Sequence, residues 1–276
     1  MWTSRPPRVS ASEIARACVR NIRKNELRSA LLAALDTIDA NSLDYRVLGD
    51  ADRLHEIDAN SHPVAGVTDD QFRWLYSSRL VKNKDARRLY DLLLASAPYD
   101  LCLYCKDTVA ATLDHFVPKH MVGSFAIEPN NLIPACPRCN TLIGEEWSSS
   151  RARQMLHPFF LGDLGRWLRA KVEQGSPPVV TFMADPDPSL PEPLKDRIVQ
   201  QFHRLDLGLR LAKSSASELS GLCRKLSAGT ETPAEVRSLL DNMADVGFQA
   251  DPNDRRGAMF EALASSAWFC EGGYAS

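Results

Sequence analysis

The chain has 276 residues, 44% hydrophobic and 25% charged, with a formal net charge of −2; that is enough apolar chain for one large folded domain or two smaller ones, and it is not the composition of a disordered or fibrous protein. No apolar run approaches the ~18 residues that cross a bilayer, and the opening MWTSRPPRVSASE has neither the apolar stretch nor the cleavage site of a secretory signal, so the expectation is a cytoplasmic protein with no membrane partner. The near-neutral balance excludes nucleic-acid binding by a whole-molecule field, and any such partner must meet a local patch.

Local patches exist. Residues 1–30 carry seven basic side chains against two acids, 31–70 carry nine acids against two arginines, and 71–90 carry six basic side chains (Arg73, Arg79, Lys82, Lys84, Arg87 and Arg88) against Asp85. Over the same stretch Ser10-x-x-Glu13 forms a capping box, and Ile14, Cys18, Ile22, Leu31, Leu35 and Ile38 recur at helical spacing, predicting a long helix over 11–40. An irregular segment is expected over 41–67. A second capping box, Thr68-x-x-Gln71, opens a helical stretch whose later part sets Leu89, Leu92 and Leu93 on one face before Pro98 ends it.

The next stretch changes character. Ala110 to Val117 and Asn131 to Pro134 read as short strands, and Pro137 at a first helical position starts a helix to about Trp147. Beyond it, 164–174 reads as helix and 179–183 as a short β-branched run. Six prolines between Pro177 and Pro193 suggest a linker, and helices follow over 194–226, 233–246 and 253–269. The expected fold is α+β and mostly helical, organised as an N-terminal helical region (1–98), a small core (99–160) and a C-terminal mostly helical region (161–276).

The chemistry concentrates in the middle segment. CLYC (Cys102, Cys105) and CPRC (Cys136, Cys139) present four thiols as two knuckles, the ligand set of a tetrahedral structural zinc; four buried core cysteines are the plainer alternative. A zinc closed by four thiolates leaves no position for water, so reaction chemistry falls to other residues. Asp114, His115, Asn130, Asn131 and Asn140 are the polar groups out of place in a hairpin core, and they suggest a second metal site. Successive strand residues face opposite ways, so Asp114 and His115 can share a site only where the strand gives out, which Pro118 favours by restricting Val117.

LDHFVPKH followed by NNLIPACPRCN resembles the HNH nuclease motif in its ββα-metal form, with Asn as the third letter and with zinc knuckles of the kind many such nucleases carry. The resemblance covers about Leu101 to Trp147. It implies a DNA endonuclease in which His115 is the general base, Asp114 and Asn140 hold Mg²⁺ or Mn²⁺, and Asn131 pins the loop after the histidine, with Asn130 the alternative for that position. Zn²⁺ at the four cysteines is then structural, and the expected products end in a 5′-phosphate and a 3′-hydroxyl. RNA fits the same chemistry.

Family members often carry a lysine three residues after the final Asn, where this chain has Ile143. Lys119, His120, Arg138, Arg151 and Arg153 are the candidates to supply phosphate contacts instead. Similar proteins in bacterial anti-phage modules imply an effector held by a partner such as an ATPase. The contrasting reading is a zinc-stabilised binding module without catalysis. His157, in LHPFF, reads either as a polar group lining the cleft or as a satisfied core histidine flanked by Phe159 and Phe160, the second being the preferred expectation.

Overall fold

A computed structural model describes residues 4–20, 22 and 25–275. The chain is mostly helical, and its strands among the described residues form two two-stranded antiparallel sheets, as the α+β reading requires. It divides into two compact units, the division falling between Gly162 and Asp163.

In the first unit the long helix expected over 11–40 is broken into α1 (Ala11–Val19), α2 (Asn25–Ala33) and α3 (Leu35–Asp50). The predicted helix also covers Asn21, Arg23 and Lys24, which lie outside the described residues. Ser10 caps α1 by accepting from the Glu13 amide, while Arg20 leaves the helix in an extended conformation with φ −57° and ψ 125°. The hydrophobic repeat survives this break because Ile14, Cys18, Leu31, Leu35 and Ile38 are all buried in one core; periodicity reports which residues face inward, not whether one helix carries them. The irregular reading of 41–67 also fails at its start, since α3 continues to Asp50.

Helix α4 (Asp69–Trp74) begins with the full Thr68/Gln71 capping box and runs into a π-helical turn, Leu75–Leu80, followed by α5 (Lys84–Leu94). Strands β1 (Thr112–His115) and β2 (Leu132–Ala135) pair in the register Thr112↔Ala135 to His115↔Leu132, and α6 (Pro137–Ile143) follows with Pro137 in its first turn. Leu113 and Leu132 of the hairpin, with Ala126 and Ile127, belong to the same hydrophobic cluster as Phe72, Leu75, Leu80, Leu89 and Leu93. The helices before residue 98 and the hairpin therefore bury one another's apolar faces.

The second unit contains the hairpin β3 (Leu168–Glu173) and β4 (Val179–Ala184), then α7 (Glu192–Arg204), α8 (Leu207–Ser227), α9 (Pro233–Ala250), α10 (Arg255–Ser265) and α11 (Ala267–Cys270). Residues 164–174 were expected to be helical and are largely strand. Their apolar positions suit either period, and pairing with the β-branched run 179–184 decides the matter. Pro177 and Pro178 lie in the β3–β4 turn, so that part of the proline-rich stretch serves a hairpin rather than a linker.

Candidate active site

The two cysteine knuckles meet. All four sulfurs of Cys102, Cys105, Cys136 and Cys139 lie within 4.8 Å of one another and all four residues are buried; the Cys105 and Cys136 sulfurs are 4.0 Å apart. A tetrahedral zinc with Zn–S of about 2.3 Å places its sulfurs about 3.8 Å apart, so the cluster can hold such an ion with little adjustment. Local bonds make the knuckles: Lys106 turns back onto the Cys102 carbonyl with φ 46°, the Leu103 amide donates to Pro134 on β2, and the Cys136 sulfur caps α6 by accepting from the Cys139 amide.

The knuckles also set the polar residues. Tyr104, inside the first knuckle and buried, donates its hydroxyl to Asp114 Oδ2 at 2.8 Å. Asn140 follows Cys139 on α6, and its Nδ2 donates to Thr112 Oγ1 at 3.1 Å while that hydroxyl donates to the Ala135 carbonyl. With its amide nitrogen committed, Asn140 has Oδ1 left to ligate a cation. Burial pushes the Asp114 carboxyl up to about 6, against the opposing effects of the Tyr104 hydroxyl, the His115 backbone and Lys119.

β1 ends at His115. Its Nε2 lies 3.1 Å from the Ala126 carbonyl, which only accepts, so the ring proton sits on Nε2 and Nδ1 keeps the lone pair. Desolvation holds the imidazole down to about 3, with Lys119 acting the same way and the Ala126 carbonyl opposing. The ring is therefore neutral throughout the physiological range. Tyr76 packs edge-on against it, with ring centroids 4.4 Å apart. The Ala126 turn is itself seated by a close approach at Gly123, where a Cβ would fall 2.4 Å from the Asp69 Cα. No larger residue fits there without displacing α4.

Asn131 is fully buried, and every one of its side-chain bonds fixes the loop that carries these groups. Its Oδ1 accepts from the Val117 amide at 2.6 Å and the Tyr45 hydroxyl at 2.9 Å, and its Nδ2 donates to the carbonyls of Val117 and Phe125, both at 3.0 Å. Behind it, His157 Nδ1 accepts from the Phe159 amide, which leaves Nε2 as the donor to Tyr45 at 3.3 Å. His157 is 3% exposed and packs at a tilt against Phe116, with ring centroids 4.3 Å apart, as the core-histidine reading expects. Asn130 instead bonds Glu128 through both its amide and Nδ2, so the loop clasp belongs to Asn131.

Asp114, His115 and Asn140 line one cavity of about 450 Å³ with Thr112, Lys119, Glu145, Tyr76 and Tyr90. β1 and α6 thus bring the Asp114 carboxylate, the neutral His115 imidazole and the Asn140 amide to a common space, which the Glu145 side of the cavity shares. Residues 102–146 match the HNH endonuclease family. Over nearly its whole length the chain is also similar to Protein ea31 of Escherichia phage lambda, at 25% identity over 291 aligned positions that take in 96% of this chain and 98% of the relative. No solved structure matches the chain.

The basic residues expected to accompany the HNH segment divide. Lys119 lines the cavity, and both it and His120 lie near the Glu145 carboxylate, at 3.9 and 3.7 Å. Arg138 is exposed on α6, Arg153 is exposed, and Arg151 pairs with Asp52 at 2.9 Å; none of the three is among the described residues lining the cavity. Sequence reasoning missed Tyr45, Tyr76, Tyr90, Tyr104 and Thr112. Only Tyr104 carried a signal, its place between two zinc-spaced cysteines.

Proposed function

We propose that this chain is a metal-dependent HNH endonuclease that hydrolyses DNA phosphodiester bonds. The observation that carries the reading is the convergence of Asp114, His115 and Asn140 on one cavity, with His115 Nδ1 unprotonated. A buried carboxylate and an amide oxygen are hard donors, and a cavity of this size leaves room for retained waters, a set that fits Mg²⁺ or Mn²⁺. When bound there, such an ion supplies Lewis-acid stabilisation of phosphate charge worth several kcal/mol.

The chain's own residues do the rest. A water hydrogen-bonded to His115 Nδ1 gives its proton to the ring as its oxygen attacks phosphorus, and the phosphorus–O3′ bond breaks to leave a 5′-phosphate and a 3′-hydroxyl protonated by solvent. Ala126 holds the tautomer that makes Nδ1 the acceptor. Asn131 holds Val117 and Phe125, so the segment bearing Ala126 keeps its place. The four cysteines would hold zinc away from the proton transfer, and zinc bound there would help to fix the knuckles that carry Tyr104 and Asn140.

Cleavage of supercoiled plasmid by purified chain with Mg²⁺ or Mn²⁺, beside His115→Ala and a chelator control, tests this. Nicking or linearisation lost in both controls is expected, with zinc content and fold retained in the variant; an intact zinc-loaded chain that leaves DNA untouched, while still binding it, would return the module to a binding role. The finer reading, an anti-phage effector held by a protein partner such as an ATPase, is supported by the amount of helical chain outside the HNH segment, and co-purification with neighbouring gene products tests it.

A further inference from the structure

One wall of the cavity comes from the helical segment that precedes the hairpin. The π-helical turn and α5 form one side of the cavity through Tyr76, Ser77, Val81 and Tyr90. They are fastened to the catalytic strand itself: the Tyr76 hydroxyl donates to the Leu113 carbonyl and the Leu113 amide donates to the Tyr90 hydroxyl, both at 3.2 Å. Two tyrosines thereby take up backbone groups of the residue next to Asp114. The wall and the hairpin are thus hydrogen-bonded to each other.

The six basic residues of 71–90 sort by what they already do. Arg73 bonds Asp70 and the Lys119 carbonyl, and Arg79 bonds the carbonyls of Cys18 and Arg20, so both are committed to holding the wall. Lys82, Lys84 and Arg88 are exposed, and none has an ion pair among the described residues. Arg87 lies between these groups. Its guanidinium covers the Tyr90 ring at 4.4 Å from the centroid and donates to the Val81 carbonyl and to Asp91. Tyr90 and Val81 both line the cavity, so this guanidinium sits at the rim, with three of a guanidinium's five donors uncommitted. Lys84 and Arg88, four apart on α5, share a face, and Lys82 follows Val81 directly.

We infer that this ridge is a backbone-binding track on which Arg87 and Lys82 hold the phosphates flanking the scissile one and Lys84 and Arg88 hold those further along the same nucleic acid. The inference rests on the nuclease reading of the cavity. It explains how a chain of net charge −2 can grip a polyanion: the positive charge is local, and Arg87 packs on Tyr90 and Val81, two residues that line the cavity. Acids are scarce in 71–90, one against six basic residues.

The test uses the full zinc-loaded chain and a labelled DNA duplex without added divalent ion, comparing wild type with Lys82→Gln/Lys84→Gln/Arg88→Gln and with Arg87→Gln. A control, Lys171→Gln/Lys213→Gln/Lys225→Gln, removes the same charge from exposed positions of the other unit. Each lost phosphate contact lowers the salt dependence of binding by about 0.9 on a log–log plot. The wall triple variant is therefore expected to bind about tenfold more weakly or worse, with a slope lower by about 2 to 3, and to raise KM while kcat holds. Unchanged affinity and slope, or an equal loss in the control, overturns the track. If wild type cuts plasmid and the wall variant behaves as wild type, only the track falls; if wild type never cuts but the wall variant loses the duplex, the nuclease reading falls and with it the placing of a scissile phosphate, while the ridge stands as a backbone-binding surface alone.

Discussion

Tyr104→Phe removes one oxygen atom and leaves the ring that fills its buried position. That oxygen is the donor to Asp114 Oδ2 at 2.8 Å, and burial already pushes this carboxyl up to about 6. A hydrogen bond to an ionised group contributes about 1.5–3 kcal/mol, and here it favours the charged form, the one that ligates a cation. Losing it weakens activation by Mg²⁺ or Mn²⁺ by about 10- to 150-fold, within the range usual for groups that orient metal ligands. The sign with pH follows, because a carboxyl held up by burial and stripped of its donor ionises at still higher pH. The acid limb of the activity profile should move upward, and high metal concentration should restore the rate. The assay is plasmid cleavage titrated with each metal at several pH values, with zinc content and thermal melting as controls. An activation constant within about threefold of wild type, in a folded and zinc-loaded variant, would refute Asp114 as a ligand oriented by Tyr104.

Tyr45→Phe breaks the link between His157 and Asn131 and should cost about 1 kcal/mol of stability while lowering kcat more than it raises KM; chemical denaturation and steady-state kinetics check both. Acid should destabilise the first unit through His157. Burial holds its pKa down to about 3 from 6.5, so the unfolded chain takes up the proton first, and stability present above the unfolded value is lost as pH falls. The loss is about 1.4 kcal/mol between about pH 7.5 and about pH 5.5. Urea titrations of wild type and His157→Gln at the two pH values should differ by that amount in slope with pH, whatever the variant's offset. Stripping zinc should release both Tyr104 and Asn140, so that Mg²⁺ alone does not restore cleavage while zinc repletion followed by Mg²⁺ does. Gly123→Ala, forced against Asp69, should lower melting temperature and cleavage together, since the turn it displaces carries the carbonyl that orients His115.

The cysteine pairs and the HNH segment were legible because their chemistry is carried by residue type and spacing: four thiols in two short knuckles, an Asp-His pair at a strand end, an Asn beside the last cysteine. The helix breaks were not legible. Ile14 to Ile38 repeat as if on one helix because all of them must face one core, and that constraint is blind to a kink at Arg20. Residues 168–173 are strand because 179–184 lie beside them to complete the hydrogen bonds, a partner that local periodicity does not see.

The sequence by itself therefore determined which groups are the candidates for the two sites: the thiols of one, and the carboxylate, the imidazole and the amides of the other. Only the tertiary structure decided which state each is in and what holds it there. Tyr45, Tyr76 and Tyr90 are unremarkable letters in the chain, and Tyr104 is marked only by the cysteines around it, yet they contact Asn131, the Leu113 carbonyl, the Leu113 amide and Asp114 in turn. The physical reason is that a residue's identity fixes its donors and acceptors, whereas its tautomer, its proton affinity and its usefulness to a neighbour depend on burial and on partners that can lie 112 positions away. Those partners are chosen by packing around a shared core.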